Sequence, residues 1–283
     1  MGVVAVFLEV VAVLSLLLTV SLTVVVGRGR LRAAASELPA RLRMAAKPIG
    51  LLVVVLAINS RVRTTGVDLS WIIGVNITRL IYTLEGTAVA TIQSIVPGWL
   101  TLYFGYVYVY GYAFLLVFPL LAGMLAAERR LLRQTAVAYA INYTIGMVCY
   151  LLFIAYGPRN YMPALVEPLL FDTLPRFQLL TSEVNANTNV FPSLHTSLSV
   201  TVALLAIRDH ETFPKWTPVA VFLAASIVLS TMVLGIHWAT DVVAGSLLAA
   251  FSVWVVSSAR VGPMFDRLGS LTDSWRSLTD RWR

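Results

Sequence analysis

The chain has 283 residues, of which 58% are apolar and only 12% are charged, and its mean hydropathy is +0.82. These values exclude an ordinary soluble protein. The net charge of +7 does not indicate nucleic-acid binding, because the basic residues lie in the segments between apolar runs, as they do in membrane proteins. The single cysteine, Cys149, excludes an internal disulfide, and no thiol-ligated metal site is expected.

Residues 3–26 form the first of seven apolar runs that are predicted to cross a membrane, since about 20 helical residues span a bilayer. Basic residues follow this run instead of preceding it, which distinguishes it from a cleaved signal peptide. The other predicted spans are 48–60, 99–127, 134–156, 192–207, 217–236 and 238–258. The expected fold class is therefore an all-α, polytopic bundle of transmembrane helices.

The second predicted span, 48–60, is short, although the residues just before it could extend it. Residues 61–98 then mix apolar with charged side chains, a pattern that suits amphipathic helices lying on the outer membrane surface. Two interpretations of this segment are open. It could form a platform for a lipid substrate beside an active site, or it could simply pack on the bundle.

Tyrosines concentrate in the outer half of the third span, at positions Tyr103, Tyr106, Tyr108, Tyr110 and Tyr112. An interfacial aromatic belt accounts for most of them. A role in gripping a substrate headgroup is the alternative. Within the first span, Glu9 is expected to reach lipid headgroups or a polar neighbour.

The residues best suited to chemistry lie in two stretches. In Phe-Pro-Ser-Leu-His-Thr-Ser (191–197), the proline suits a helix start, where Ser193 and the backbone N–H groups of the first turn offer an anion site beside His195. In the second stretch His237 and Asp241 are four residues apart and share a helix face. A carboxylate that accepts one ring N–H fixes the imidazole tautomer and leaves the other nitrogen free to attack. These groups suit phosphoryl transfer. The alternative is that the two histidines lie at the membrane interface and have no catalytic role.

The two stretches resemble the second and third signature motifs of the type 2 phosphatidic acid phosphatase and vanadium haloperoxidase superfamily. The patterns Pro-Ser-x-His and Gly-x-His-x-x-x-Asp-Val-x-x-Gly, the latter ending at Gly245, agree in order and spacing. Thr231 stands where phosphatases of the superfamily usually have an arginine. Together with Phe-Pro-Ser-Leu-His, the Thr231-Met232 pair resembles the inositol phosphorylceramide synthase branch, which transfers phospho-headgroups between lipids.

The resemblance implies catalysis through a phosphohistidine, without a metal or other cofactor. His237 would attack phosphorus while Asp241 holds its tautomer. His195 would protonate the leaving oxygen and later deprotonate the incoming water or alcohol. Ser193 would bind the phosphate together with arginines from the loop between the fourth and fifth spans, for which the candidates are Arg159 first and Arg176 second.

The basic residues also predict the orientation of the chain. Sixteen of the twenty-one Lys and Arg residues fall in the segments assigned to the cytoplasm, which places the N-terminus outside and the C-terminus inside. The candidate site then lies at the extracytoplasmic face. We expect three parts: N-terminal spans with the amphipathic segment (1–98), a phosphatase- or phosphotransferase-like membrane core (99–258) and a basic amphipathic tail on the cytoplasmic leaflet (259–283). The resemblance also implies that six of the seven helices form the phosphatase-like core.

The predicted function is that of a multi-pass enzyme of the cell membrane that transfers or hydrolyses a lipid-linked phosphoryl group. Its substrate would be a lipid phosphate or a lipid-linked diphosphate, and its acceptor water, a polyol or a lipid alcohol. Membrane lipids are its expected partners, and nucleic acid is not. Transfer is slightly favoured over a plain lipid phosphate or polyprenyl diphosphate phosphatase. A lipid-binding or transport protein without enzymatic activity is the alternative from a different class.

Overall fold

Long apolar runs form helices that satisfy their own backbone hydrogen bonds, and helices account for most of the structure. The computed structural model describes residues 3–174 and 188–258. Its helices are α1 Val3–Val25, α2 Arg28–Ser36, α3 Leu38–Ile73, α4 Thr78–Glu85, α5 Ala88–Ile95, α6 Gly98–Tyr106, α7 Tyr112–Leu125, α8 Arg129–Leu152, α9 Pro158–Tyr161, α10 Leu169–Thr173, α11 Leu194–Arg208, α12 Trp216–Val233 and α13 Ala239–Ser257. A π-helical turn, Val107–Gly111, joins α6 to α7, and two short strands are β1 Val75–Asn76 and β2 Phe153–Ile154.

Six helical segments of the described chain are long and apolar enough to cross a membrane: α1, most of α3, the continuous α6–α7 rod, α8, α12 and α13. Together with the shorter apolar helix α11, they correspond to the seven predicted spans. The predicted all-α polytopic bundle is thus confirmed. The predicted tail, 259–283, lies outside the described residues.

The second span is much longer than the sequence predicts. Helix α3 has 36 residues and is therefore about 54 Å long, well beyond the roughly 30 Å of a bilayer core. The apolar crossing ends at Val62, close to the predicted residue 60, but the helix itself continues past it with Arg61 and Asp68 exposed. The first third of the predicted surface segment belongs to this extension.

Helix α11 lies at the centre of the bundle, packed against α8, α12 and α13. Its many Ser and Thr side chains are buried between these neighbours instead of facing lipid. The main apolar core surrounds its second half, where the rings of Phe118 and Trp216 are in contact with centroids 4.1 Å apart. This arrangement leaves the first turn of α11 at the other end of the bundle, next to the loops that precede α9 and α13.

Residues 75–95, hereafter the cap, cover these loops. Strand β1 pairs in parallel with β2, with Val75 opposite Phe153. Helices α4 and α5 then bury Ile81 and Val89 in a cluster that is shared with the loops after α8 and α12. The cap therefore packs on the bundle, as one of the two interpretations expects, and a platform for a lipid substrate stays a prediction.

Candidate active site

The first histidine stretch forms the N-terminus of α11. The helix begins at Leu194, and Ser193 is its N-cap, with a side-chain oxygen that accepts a hydrogen bond from the N–H of Thr196 at 3.2 Å. Pro192 lies just before the cap and not in the first turn, where the sequence places it. The hydroxyl proton of the fully buried Ser193 remains available for donation to a ligand.

The second stretch brings His237 and Asp241 together, although not along one helix face. His237 lies in the loop before α13, and Asp241, on the first turn, reaches back to it. The Nδ1 atom of His237 is 3.3 Å from Oδ2 of Asp241, and the same oxygen accepts the backbone N–H of Trp238 at 2.9 Å. The expected pairing of His237 with Asp241 is therefore observed. It arises because Asp241 on the first turn of α13 reaches back to the preceding loop, and not because both residues share a face of one helix.

The two stretches touch each other directly. The backbone N–H of Ser193 donates to the carbonyl of Asp241 at 3.1 Å. The two stretches can approach this closely because Gly245 has no side chain. A Cβ at this position would stand 2.5 Å from the carbonyl oxygen of Ser193. As a result, the rings of His195 and His237 lie near each other, with centroids 6.1 Å apart and planes inclined by 55°.

Burial sets the protonation of His237, which is only 3% exposed. Desolvation lowers the pKa of His237 to about 3, a hydrogen bond with the backbone of Val190 opposes this shift, and the charge of Arg159 adds to it. The imidazole is therefore neutral near pH 7. Neutral imidazole is the form that can attack phosphorus.

Arg159 reaches this site from the short helix α9. Its backbone N–H donates to the carbonyl of Gly235 at 3.1 Å, and its guanidinium lies 4.7 Å from the ring centre of Phe171. The Nη1 atom is buried without a hydrogen-bond partner. Burial lowers the pKa of Arg159, and the neighbouring Tyr108 opposes that shift. The second candidate, Arg176, lies outside the described residues.

Thr231 does not supply a substitute for the arginine that the motif usually carries. Its hydroxyl donates to the carbonyl of Val228, at 2.7 Å, within its own helix. Its carbonyl accepts the backbone N–H groups of Ile236 at 2.9 Å and His237 at 3.1 Å. Thr231 thus shapes the loop that carries His237, while its side chain bonds away from the site.

Two tyrosines of the third span contact His195. The ring centroid of Tyr108 is 4.6 Å from that of His195, and the ring centroid of Tyr112 is 4.5 Å from it. Tyr110, in the same π-helical turn, donates to Oε1 of Glu9 at 2.6 Å, which confirms a polar neighbour for that carboxylate. An aromatic belt is therefore the wrong interpretation of Tyr108, Tyr110 and Tyr112, whereas Tyr106 is 40% exposed.

Glu85 is a site neighbour that the sequence does not single out. It ends α4, and its carboxylate accepts the backbone N–H groups of Ala239, at 2.9 Å, and Thr240. These two residues begin α13. No local motif marks Glu85, because its partners lie more than 150 positions later in the chain.

Arg159→Ala is expected to lower kcat/KM on a phosphate ester by on the order of 10²- to 10³-fold, because a preorganised charge near the phosphoryl oxygens would be lost. Arg159→Lys should recover only part of this, since an ammonium lacks the bidentate fork of a guanidinium. Steady-state kinetics of the purified protein measure both effects. Arg79→Ala, which removes an exposed cation of the cap, is the control, and an equal loss there would contradict a specific role for Arg159.

Comparison with known proteins identifies one family. A family model described as the PAP2 superfamily matches residues 87–255, a range that includes both histidine stretches and Arg159. No curated protein and no solved structure matches the chain. Since the matched range is more than half of this multi-pass helical protein, the chain belongs to the PAP2 superfamily.

Proposed function

We propose that the protein is an integral membrane enzyme that moves a phosphoryl group from a lipid-linked donor to a hydroxyl acceptor by way of a phosphohistidine. The observation that carries this proposal is the pair of neighbouring histidines. One of them, His237, is neutral and bonded through Nδ1 to Asp241, and the other, His195, lies 6.1 Å away between ring centroids. This is the arrangement that a nucleophile and a separate proton donor need.

In the proposed first step, Nε2 of His237 forms a bond to phosphorus as the bond from phosphorus to the leaving oxygen breaks. His195 gives its proton to that oxygen, and Asp241 stabilises the developing positive charge on the attacking ring. In the second step His195 takes the proton of the acceptor hydroxyl, whose oxygen displaces His237 from phosphorus. The guanidinium of Arg159 and the hydroxyl of Ser193 would stabilise the negative oxygens in both steps.

A lipid or polyol alcohol is the favoured acceptor, and water is the alternative. A transferase must keep water from the phosphohistidine until the alcohol arrives. The cap supports this reading, because its apolar cluster buries Trp238, the residue next to His237. The resemblance of the motifs around Ser193 and Thr231 to inositol phosphotransferases points the same way. A plain lipid phosphate or polyprenyl diphosphate phosphatase would use the same first step.

The deciding assay reconstitutes the purified protein in lipid vesicles with a panel of labelled lipid phosphates and lipid-linked diphosphates, with and without inositol and other alcohols. Phosphate release and transferred product are counted together, in EDTA, because the proposed mechanism needs no metal. If inorganic phosphate accounts for all turnover at every alcohol concentration, the transferase reading is wrong. If turnover in EDTA stops and returns with added Mg²⁺ or Zn²⁺, the phosphohistidine mechanism without a metal is wrong.

We place the site at the extracytoplasmic face because the segments on its side of the bundle carry few basic residues. A membrane-impermeant, short-chain donor should therefore be consumed by sealed right-side-out vesicles without detergent. Inside-out vesicles should gain activity only when they are opened. The reverse pattern would contradict the orientation.

The low pKa of His237 predicts the acid side of the pH profile. Because the folded-state pKa lies at about 3, the ring stays unprotonated as the pH falls through 6.5, and the nucleophile is not lost there. We expect kcat/KM to show no acid limb between about pH 7 and pH 5. A phosphodiester donor is needed, since the second ionisation of a monoester near about pH 6 would shape the curve itself. An acid limb centred at about 6.5, the ordinary histidine value, would contradict the prediction.

A further inference from the structure

We infer that Glu85 is a positioning residue for the loop that carries His237, an inference that rests on the proposed function of that histidine. Glu85 touches neither histidine. Its two carboxylate oxygens accept the N–H groups of Ala239 and Thr240, the first two residues of α13. Amides at a helix start have no partner inside the helix, and a carboxylate at that positive end forms strong, charge-assisted bonds with them.

Glu85 is important because it and Asp241 accept hydrogen bonds from different amides at the start of α13. Asp241 uses one oxygen for the Trp238 amide and for the ring of His237, and its other oxygen, Oδ1, is buried without a partner. Without Glu85, the amides of Ala239 and Thr240 would have Asp241 as the nearest carboxylate. Rotation of Asp241 toward them would weaken its hold on His237.

The cap holds the loop between α12 and α13 at both ends. Glu85 fixes the far end, at the start of α13. Gln93 fixes the near end, because its amide nitrogen donates to the carbonyl of Val233 at 2.9 Å, while its amide oxygen accepts the N–H of Glu167 at 3.0 Å. The five residues between these two contacts include His237. Glu85 lies just before the range that matches the family model, whereas Gln93 lies within it, so the contact at the start of α13 is supplied from outside that range.

The test compares Glu85→Ala and Glu85→Gln with the wild type in two measurements. Steady-state kinetics should show that kcat falls by about 10- to 100-fold in Glu85→Ala, while KM changes by less than about twofold, because the nucleophile is displaced and the binding groups remain. Glu85→Gln keeps one acceptor oxygen and should recover a large part of the rate. Hydrogen exchange should accelerate in the peptide that spans residues 234–245 in Glu85→Ala.

The matched control is Glu167→Gln, which removes an exposed carboxylate from the neighbouring loop and should leave both measurements unchanged. Wild-type kcat, or wild-type exchange at residues 234–245, in Glu85→Ala would overturn the inference. If Glu85→Ala does not fold, the same two measurements are made on Glu85→Gln, and wild-type kcat together with wild-type exchange at residues 234–245 in that variant would overturn the inference. Absence of turnover by the wild type on every phosphate donor would overturn the proposed function, and the exchange result would still show separately whether Glu85 holds the helix start.

Discussion

His237→Ala is expected to lower kcat by on the order of 10³-fold or more, because the variant has no nitrogen with which to form the phosphohistidine. Covalent labelling of the protein by a phosphorus-labelled donor should disappear as well. Both are measured on purified protein whose elution and helical content match those of the wild type. Asp241→Asn should retain a weak residual activity, because it spoils the tautomer of His237 but keeps the nucleophile.

His210→Ala is the control for the loss of a histidine. This residue lies on the exposed turn after α11, where its Nδ1 atom is 3.1 Å from the hydroxyl of Thr217. We expect wild-type kinetics from this variant. Turnover at the wild-type rate in His237→Ala would disprove the mechanism.

Gly245→Ala should disrupt the packing of α13 against α11 near the site. The added Cβ would stand 2.5 Å from the carbonyl oxygen of Ser193 and 3.3 Å from the amide nitrogen of Ser197. Both atoms belong to the backbone of α11, so neither can swing aside, and α13 must move away from α11. We expect a loss of roughly 1–3 kcal/mol in stability, the usual cost of overpacking, together with a fall in kcat as the two histidines separate. Thermal unfolding in detergent and steady-state kinetics measure these effects.

Gly50→Ala is the matched control for this substitution. Gly50 lies inside α3, and a Cβ there would meet nothing within 4 Å. The same chemical change should therefore leave stability unchanged or raise it slightly, since alanine favours a helix. Equal unfolding temperatures for Gly245→Ala and the wild type would show that the two helices are not as closely packed as described.

Hydrophobicity and motif spacing predict most of what is local in this protein. The third, fourth, sixth and seventh spans begin and end within about five residues of their predicted bounds, because a long apolar run has few alternatives to a membrane helix. The end of α3 is missed, since exposed charges such as Asp68 do not stop a helix that has left the apolar region. Hydropathy thus predicts that α3 crosses the membrane but does not predict the full length of the helix.

The contacts between distant parts of the chain are what the sequence conceals. A tyrosine that faces lipid and one that contacts the half-buried His195 have the same local pattern, so Tyr108 and Tyr112 are interpreted from the sequence as an aromatic belt. Glu85 looks like one more charge on an amphipathic segment. Its importance depends on the start of α13, and no local periodicity reports a contact of that range.

The separation between Glu85 and its partners has a consequence for biosynthesis. The amides that its carboxylate holds belong to residues that are synthesised 154 and 155 positions later. While the middle of the chain is being inserted, the cap can pair β1 with β2, but this acceptor stays unused until α13 has been synthesised. The loop around His237 therefore reaches its final shape only after α13 has been added, and a chain truncated before α13 would present the other site residues without an ordered nucleophile.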